Sequence, residues 1–352
     1  MRVLVLFGGR SAEREVSCVS AQSVLRNLGR HQPILVWIDP QGRWWHQRRV
    51  KEYLAHKKPA RFPFERVAAR LEPGPRPALV AGARRFYPDV AFPVLHGPFG
   101  EDGTMQGHLE IVGLPYVGCG VLGSSAGMDK AVTKVLAARA GLPQVPYALL
   151  KDPRDLVAAR RLKLPVFVKP SRLGSSVGVY KVKKSSELAA AVRKAFRFDS
   201  EVLVEQGVSA REIECAVIGE GRRTRVAKTV GEIRPNAEFY SYEAKYLDPD
   251  GAELIIPAKL SKSAAETVRA LSRRAFDAVC GFGMARVDFF LDKRTGRFYF
   301  NEVNTIPGFT SISQFPKLWA ESGLAFPKLV DELLKLAVAR HRDQAKLRIT
   351  RD

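Results

Sequence analysis

The chain is poor in several things that would otherwise direct its reading. Its four cysteines, Cys18, Cys119, Cys215 and Cys280, lie far apart with no Cys-x-x-Cys pair. That spacing excludes a zinc ribbon and gives no disulfide framework, so buried, reduced thiols are expected. No apolar run approaches the ~20 residues that span a bilayer. The opening Met1-Arg2-Val3-Leu4-Val5-Leu6-Phe7-Gly8-Gly9 is too short an apolar stretch for a signal peptide and lacks a small-residue cleavage site, so a cytoplasmic protein is expected. Internal repeats and low-complexity segments are missing. Acid is scarce: 57 Lys and Arg face 36 Asp and Glu, a net charge of +21. That excess raises the question of nucleic acid. Its clusters, Arg43 to Lys58, Lys181 to Lys184 and Arg222 to Arg225, lack interleaved aromatics, and solvated basic surface explains them better.

What is present describes a globular chain. Its 352 residues suffice for two or three domains, and 46% hydrophobic against 26% charged residues argues against disorder. Val3–Phe7, Ile34–Asp39 and Val90–Leu95 read as buried strands, with a helix over Ser11 to Leu28. Lys57 to Pro88, rich in Pro, Arg and Gly, reads as irregular. Strands alternating with helices predict an α/β unit with a parallel sheet ending near Gly120, its ligands gathering at strand carboxyl ends such as Gly8-Gly9 and His96-Gly97. After Gly123 the pattern becomes α+β. Asp129–Ala140 and Ser185–Phe196 read as helices, and Val145–Leu149, Val166–Lys169, Val177–Val182, Val202–Glu205 and Glu212–Ile218 as strands. Ser263-Ala264-Ala265-Glu266 fits a capping box for a helix ending at Gly281, and Phe326–Arg340 a closing amphipathic helix with Pro327 in its first turn.

The strongest local signal is the pair of apolar runs from Arg286 to Leu291 and Phe298 to Asn304, flanking a polar turn with Gly296. A hairpin centred on Thr295 sets Asp288 opposite Glu302 and Arg286 opposite Asn304. Residues two apart share a strand face, so the four meet on one surface. Two carboxylates and an amide oxygen suit Mg²⁺ sharing its sphere with phosphates and water; a solvated face with salt bridges is the alternative. Pro170 to Gly178 follows a strand ending in Lys169 and could cradle an anion, or be a plain hairpin loop; it is not a Walker A loop. Val204 to Val208 could read a base edge or ribose. Taken singly, Glu13 fits a helix start and His96 a loop histidine.

The order of these stretches resembles the D-alanine–D-alanine ligase family of the ATP-grasp superfamily. The matching blocks are Gly8 to Ser17, Leu95 to Gly103, Gly113 to Gly118, Met128-Asp129-Lys130, Val168 to Gly178, Tyr242 to Tyr246, Arg286-Val287-Asp288 and Asn301 to Ser313. The resemblance implies a Rossmann-like domain over 1–122 and a two-part ATP-grasp fold over 123–210 and 211–352, with a mobile loop at 236–253. It implies ATP bound by Lys130, Lys169, Glu205, Gln206, Val208, Glu212 and Lys245, with Lys169 and Lys245 toward phosphates and Glu212 toward ribose. Gln206 stands where many relatives have lysine. Asp288, Glu302 and Asn304 match the ligands of Mg²⁺, two ions being expected and Mn²⁺ an accepted substitute.

The implied reaction joins two D-alanines through D-alanyl phosphate, for peptidoglycan precursor synthesis. Glu13 and His96 would meet the first substrate and Ser313 the second. Arg286 and the Gly308 N–H would stabilise the oxyanion. Glu13, Ser175 and Tyr246 match a hydrogen-bonded trio that closes the site, and Tyr246 and Ser175 are the candidates for the proton acceptor. The intact Tyr242-Glu243-Ala244-Lys245-Tyr246 favours D-alanine over D-lactate or D-serine as acceptor. Family membership also implies a homodimer. Two rivals from other classes fare worse. A dinucleotide oxidoreductase lacks its Gly-x-Gly-x-x-Gly, and a nucleic-acid binder leaves Asp288, Glu302, Asn304, Lys169 and Lys245 unexplained.

Overall fold

The computed structural model describes residues 1–235 and 252–348. The first apolar run forms β1 (Arg2–Gly8), which pairs in parallel with β2 (Gln32–Ile38) and β7 (Val90–Val94). Its alternation divides it between two cores. Val3, Val5 and Phe7 face one, with α1 (Arg14–Arg26); Leu4 and Leu6 face the other, with α3 (Thr104–Val112). Helix α1 begins three residues later than the sequence suggests, because Ser11 turns the chain by accepting the Arg14 and Glu13 amides.

Two expectations need correction here. The sheet is parallel only at one end, over β2, β1 and β7, and the stretch from Lys57 to Pro88 is not irregular. Past β2 come β3 (Trp44–Gln47), α2 (Val50–Ala55), β4 (Val67–Glu72), β5 (Ala78–Ala81) and β6 (Arg84–Phe86). The strands extend the sheet in antiparallel fashion, in the order β6-β5-β4-β3-β2-β1-β7. The buried run Ala78-Leu79-Val80-Ala81 is short and hemmed by Pro, Arg and Gly, which hid it.

Helices α4 (Val121–Met128) and α5 (Lys130–Arg139) lead into the second sheet. Asp129 caps α5, accepting from the Ala131 and Val132 amides at 3.0 and 3.1 Å. Strands β8 (Tyr147–Leu150), β9 (Val166–Pro170), β10 (Tyr180–Val182) and β11 (Val202–Gln206) form an antiparallel sheet ordered β10-β9-β11-β8, with α6 (Val157–Arg160) and α7 (Leu188–Ala195). Strand β10 starts at Tyr180 rather than Val177. Before it, Ser175 and Ser176 hold left-handed φ of 51° and 60°, which no strand accommodates.

The third sheet contains β12 (Ala210–Gly219), β13 (Arg225–Val226), β14 (Gly231–Pro235), β15 (Ala252–Ile255), β16 (Gly283–Asp292) and β17 (Phe298–Asn304). Its order is β15-β14-β12-β16-β17, with β13 on β12. Helix α8 (Lys262–Ala278) is capped by Ser261, whose Oγ accepts the Ala264 amide at 3.2 Å. Ser263 therefore lies inside the helix and the expected capping box is not used; the helix also stops short of Gly281. Then follow α9 (Gln314–Glu321) and α10 (Phe326–Gln344), the latter one turn longer than expected. Phe309, fully buried, packs edge-on against Phe92 and Phe315, so the loop after β17 is anchored to the first sheet. Burying such a ring contributes about 1.5–3 kcal/mol, and here it fixes a loop of the site. Of the cysteines, Cys280 is exposed, contrary to expectation, and the other three are buried; all are free. Among the described residues no helix is long and apolar enough to cross a membrane.

Candidate active site

The hairpin β16–β17 has the register its alternation suggests: Arg286 opposite Asn304 and Asp288 opposite Glu302. A bulge between Asp288 and Phe289 shifts the pairing beyond them. Asp288 accepts two bonds from Arg286, at 2.8 and 2.7 Å, and one from Asn304 Nδ2 at 2.9 Å. Glu214 of β12 approaches Arg286 Nε at 3.1 Å. Burial works against the Arg286 charge, but Asp288 and then Glu214 more than offset it and raise its pKa further. Two carboxylates and an amide oxygen on one face are hard donors that fit a small divalent cation. Among the described residues no three His, Cys, Asp or Glu side chains gather as a metal cage, so such an ion would complete its sphere with phosphate or water.

This face borders a cavity of about 810 Å³. From the first domain come Glu13, His96 and Glu101; from the loop after β9, Gly174 and Ser175; from the third sheet, Glu212, Glu214, Arg286, Asp288, Glu302 and Asn304; and from the loop after β17, Gly308 and Ser313. Lys57 to Arg61, in the stretch expected to be irregular, supply part of its rim. Ser175 donates its hydroxyl to the Glu13 carboxylate, tying the first domain to the Gly/Ser loop. Gly97 is required beside it: its φ is +74°, and a Cβ would lie 2.6 Å from Glu13 Oε2.

His96 is buried, with Nδ1 3.1 Å from the Ile306 carbonyl and Nε2 3.2 Å from Ser20 Oγ. A carbonyl only accepts, so Nδ1 carries the proton and Nε2 accepts from Ser20. Burial lowers its pKa to about 4, and the ring is neutral. Nδ1 thus joins the loop after β7 to the loop after β17, and Nε2 joins it to α1. Glu101 accepts the Gly97 amide at 3.1 Å; burial first, then Glu13, pushes its carboxyl up to about 8.

The remaining expected residues gather on the second sheet, outside that cavity lining. Lys169 stands opposite Leu203 on β11, which puts it on the face carrying Glu205. The Lys169 ammonium lies 2.7 Å from Glu205 Oε2, and Lys134 of α5 lies 2.7 Å from Oε1. Burial alone would raise the Glu205 carboxyl, but Lys169 and Lys134 hold it at about 2. Both its oxygens face lysines, and its backbone is laddered to β8 and β9 on either side. Gln206 Oε1 accepts the Lys163 amide at 3.2 Å, and Val208 is half-buried in the loop to β12. Lys130 links the two regions, 2.6 Å from the Leu173 carbonyl and 3.7 Å from Glu302.

Ser313 Oγ accepts the Thr310 amide at 3.0 Å; a Cβ at Gly308 would sit 2.6 Å from that oxygen. Tyr246 and Lys245 lie outside the described residues, as does most of the expected mobile loop. Sequence reasoning missed Lys134, Glu214, Glu101 and Gln314. Gln314 is buried on the cavity wall, and neither atom of its amide has a hydrogen-bond partner among the described residues. Glu214 could have been found, since it alternates with Glu212 on β12; the others carry no local signal.

Comparison with known proteins gives the family of the chain. Residues 2–119 match the family described as D-ala D-ala ligase N-terminus, and residues 136–335 match D-ala D-ala ligase C-terminus. The chain is 48% identical to D-alanine--D-alanine ligase A of Bradyrhizobium diazoefficiens, over 99% of this chain and 97% of that protein. The solved D-alanine-D-alanine ligase from Coxiella burnetii superposes with a TM-score of 0.86 at 34% identity, covering 98% of this chain and 96% of the other. The VanG D-Ala:D-Ser ligase from Enterococcus faecalis does so at 0.83 and 34%, covering 96% and 99%. The second and third sheets are those of an ATP-grasp fold, set behind a Rossmann-like domain. With both halves matched over nearly its whole length, the chain belongs to the D-alanine–D-alanine ligase family.

Proposed function

We propose that this protein joins two D-alanines into D-alanyl-D-alanine at the expense of ATP, supplying peptidoglycan precursor synthesis. The first D-alanine carboxylate attacks the γ-phosphate, giving D-alanyl phosphate and ADP. The second D-alanine's amine attacks the acyl carbon, loses a proton, and phosphate leaves. The observation that carries this reading is one cavity bordered by Glu13 held by Ser175, Arg286 held by Asp288 and Glu214, and the Gly308 loop.

Each residue then has a task. Glu13 binds the first substrate's ammonium, and neutral His96 keeps the neighbouring loops in register. Arg286 and the Gly308 N–H stabilise the tetrahedral oxyanion. Ser313 meets the second substrate's carboxylate. Lys130, Lys169 and Lys245 neutralise phosphate charge, Glu205, Gln206 and Val208 frame the adenine, and Glu212 the ribose. Tyr246 or Ser175 receives the amine's proton. Asp288, Glu302 and Asn304 would hold Mg²⁺, with a second ion alongside and Mn²⁺ able to substitute, and the bound metal would neutralise charge on the phosphoryl oxygens. Shielding the acyl phosphate from water is the purpose of closure by the 236–253 loop.

The proposal includes domain boundaries near 122 and 210, a cytoplasmic location and a homodimer; light scattering at micromolar concentration showing a monomer would remove the last. The function is tested by phosphate release with ATP, Mg²⁺ and D-alanine, products being resolved by chromatography beside D-serine, D-lactate and L-alanine reactions. Dipeptide with stoichiometric phosphate is the expected result. Mixed products with D-serine, the acceptor named for VanG, would move the specificity, and no amino-acid-dependent phosphate would overturn the reading.

A further inference from the structure

Lys134 has no task in this scheme, yet its side chain is only 1% exposed. Its ammonium lies 2.7 Å from Glu205 Oε1 and 4.9 Å from the centre of the Tyr147 ring. The other Glu205 oxygen lies 2.7 Å from Lys169, whose side chain is 10% exposed. The three groups therefore form a row with two cations, one anion, and Lys169 at its more open end. We propose that Lys134 is a positioning residue for ATP: by sharing the Glu205 carboxylate it leaves Lys169 un-neutralised, so the row presents one surplus positive charge to the nucleotide phosphates. The inference rests on the reading that Lys169 faces those phosphates.

Stability alone does not call for this lysine. A buried ammonium loses its hydration, and a buried set of charges often gains nothing over apolar residues packed in place of the whole set. Without it, Glu205 and Lys169 would make a neutral pair with little field left for an anion. With it, the carboxylate is divided between two cations. The Tyr147 ring face attracts the Lys134 ammonium and holds it at the closed end of the row. Lys130, one helical turn earlier on α5, also points toward the cleft, reaching Leu173 and Glu302. One helix thus orients two charges for one ligand.

The test is the ratio of ATP to adenosine affinity, measured by calorimetry on the full chain without metal or D-alanine, each variant being shown folded by thermal melting. In Lys134→Met the surplus charge is removed, and the ratio falls roughly tenfold, the order expected for one charge acting through a partly shielded interior. In Glu205→Gln the surplus grows and the ratio rises. The double variant restores one surplus charge, and its ratio returns toward that of the unaltered chain. A structural lysine would weaken both ligands alike; an unmoved ratio in the folded variants overturns the inference. Should Lys134→Met fail to fold, Glu205→Gln and the double variant decide the matter by the same ratio. Lys169→Met separates the two layers of argument. If it leaves ATP affinity unchanged, the phosphate reading falls and takes the inference with it. If it weakens ATP while the Lys134→Met ratio holds, the inference alone falls.

Discussion

The hairpin face and the second-sheet row bury the same kinds of charge in opposite proportion. On the hairpin one cation, Arg286, meets the carboxylates of Asp288 and Glu214, with Glu302 alongside. On the second sheet one carboxylate, Glu205, meets Lys134 and Lys169. Pairing makes both sets tolerable in the interior, but the surplus differs in sign, and the surplus decides what each can still receive. An excess of acid accommodates a cation and an excess of base an anion. Lys130 stands between them, 3.7 Å from Glu302. Buried ion pairs are weak evidence for stability, so the two sets are better explained by the ligands that each surplus would receive.

The comparison breaks most visibly at Asp288. Asp288→Asn keeps the shape but removes one acid from the hairpin face, leaving Arg286 with Glu214. A divalent ion contributes several kcal/mol to phosphoryl transfer, so kcat should fall by about a hundredfold or more. Phosphate release on a variant with near-native melting checks this; undiminished activity would mean that the face is only a salt-bridge network.

A smaller loss is expected at Gly97, where the hairpin face meets the first domain. Gly97→Ala must adopt a φ of +74° and place a Cβ 2.6 Å from Glu13 Oε2. The left-handed conformation costs about 1–2 kcal/mol, and Glu13 must shift. The KM for D-alanine should rise about tenfold with that for ATP unchanged. Steady-state kinetics would show a rise in both constants together if the damage were general.

How far the sequence shows these sets depends on the element that holds them. A hairpin is local, so alternation around Thr295 suffices to bring Arg286, Asp288, Glu302 and Asn304 to one face. Even there the bulge after Asp288 leaves no trace in composition. Lys134 is the opposite case. Four residues after Lys130, it reads as one more solvated lysine on a helix, and only the tertiary fold buries it against Glu205 and Tyr147. Glu13 and Ser175, 162 positions apart, could be joined only through the resemblance. The antiparallel strands past β2 are illegible because most are short and bounded by Pro, Gly or Arg.

Glu101 gives a pH test of the acid-rich side. In the folded chain burial, and after it Glu13, holds its carboxyl near 8, against 4.5 ordinarily. Between those values the folded state binds the extra proton, so its contribution to stability falls as pH rises from about 4.5 to 8. Glu101→Gln cannot lose a proton, and should gain on the unaltered chain by more than about 1 kcal/mol across that window. Thermal melts at pH 5 and pH 8.5 measure the gain. An equal difference at both values would show that the folded chain does not raise the Glu101 carboxyl.

The least effect is expected from adding charge beside the lysine row but off its face. Gln206 follows Glu205 directly on β11, so its side chain leaves the opposite side of the sheet, where its Oε1 accepts the Lys163 amide at 3.2 Å. It is half-buried at the strand end, and a lysine there would be well solvated. Exposed charges couple by about 1 kcal/mol or less. Gln206→Lys should therefore change the KM for ATP by less than about threefold. A tenfold tightening would mean that surplus charge acts at this strand end whichever face bears it. The arrangement Lys134–Glu205–Lys169 would then matter for its sum rather than its geometry.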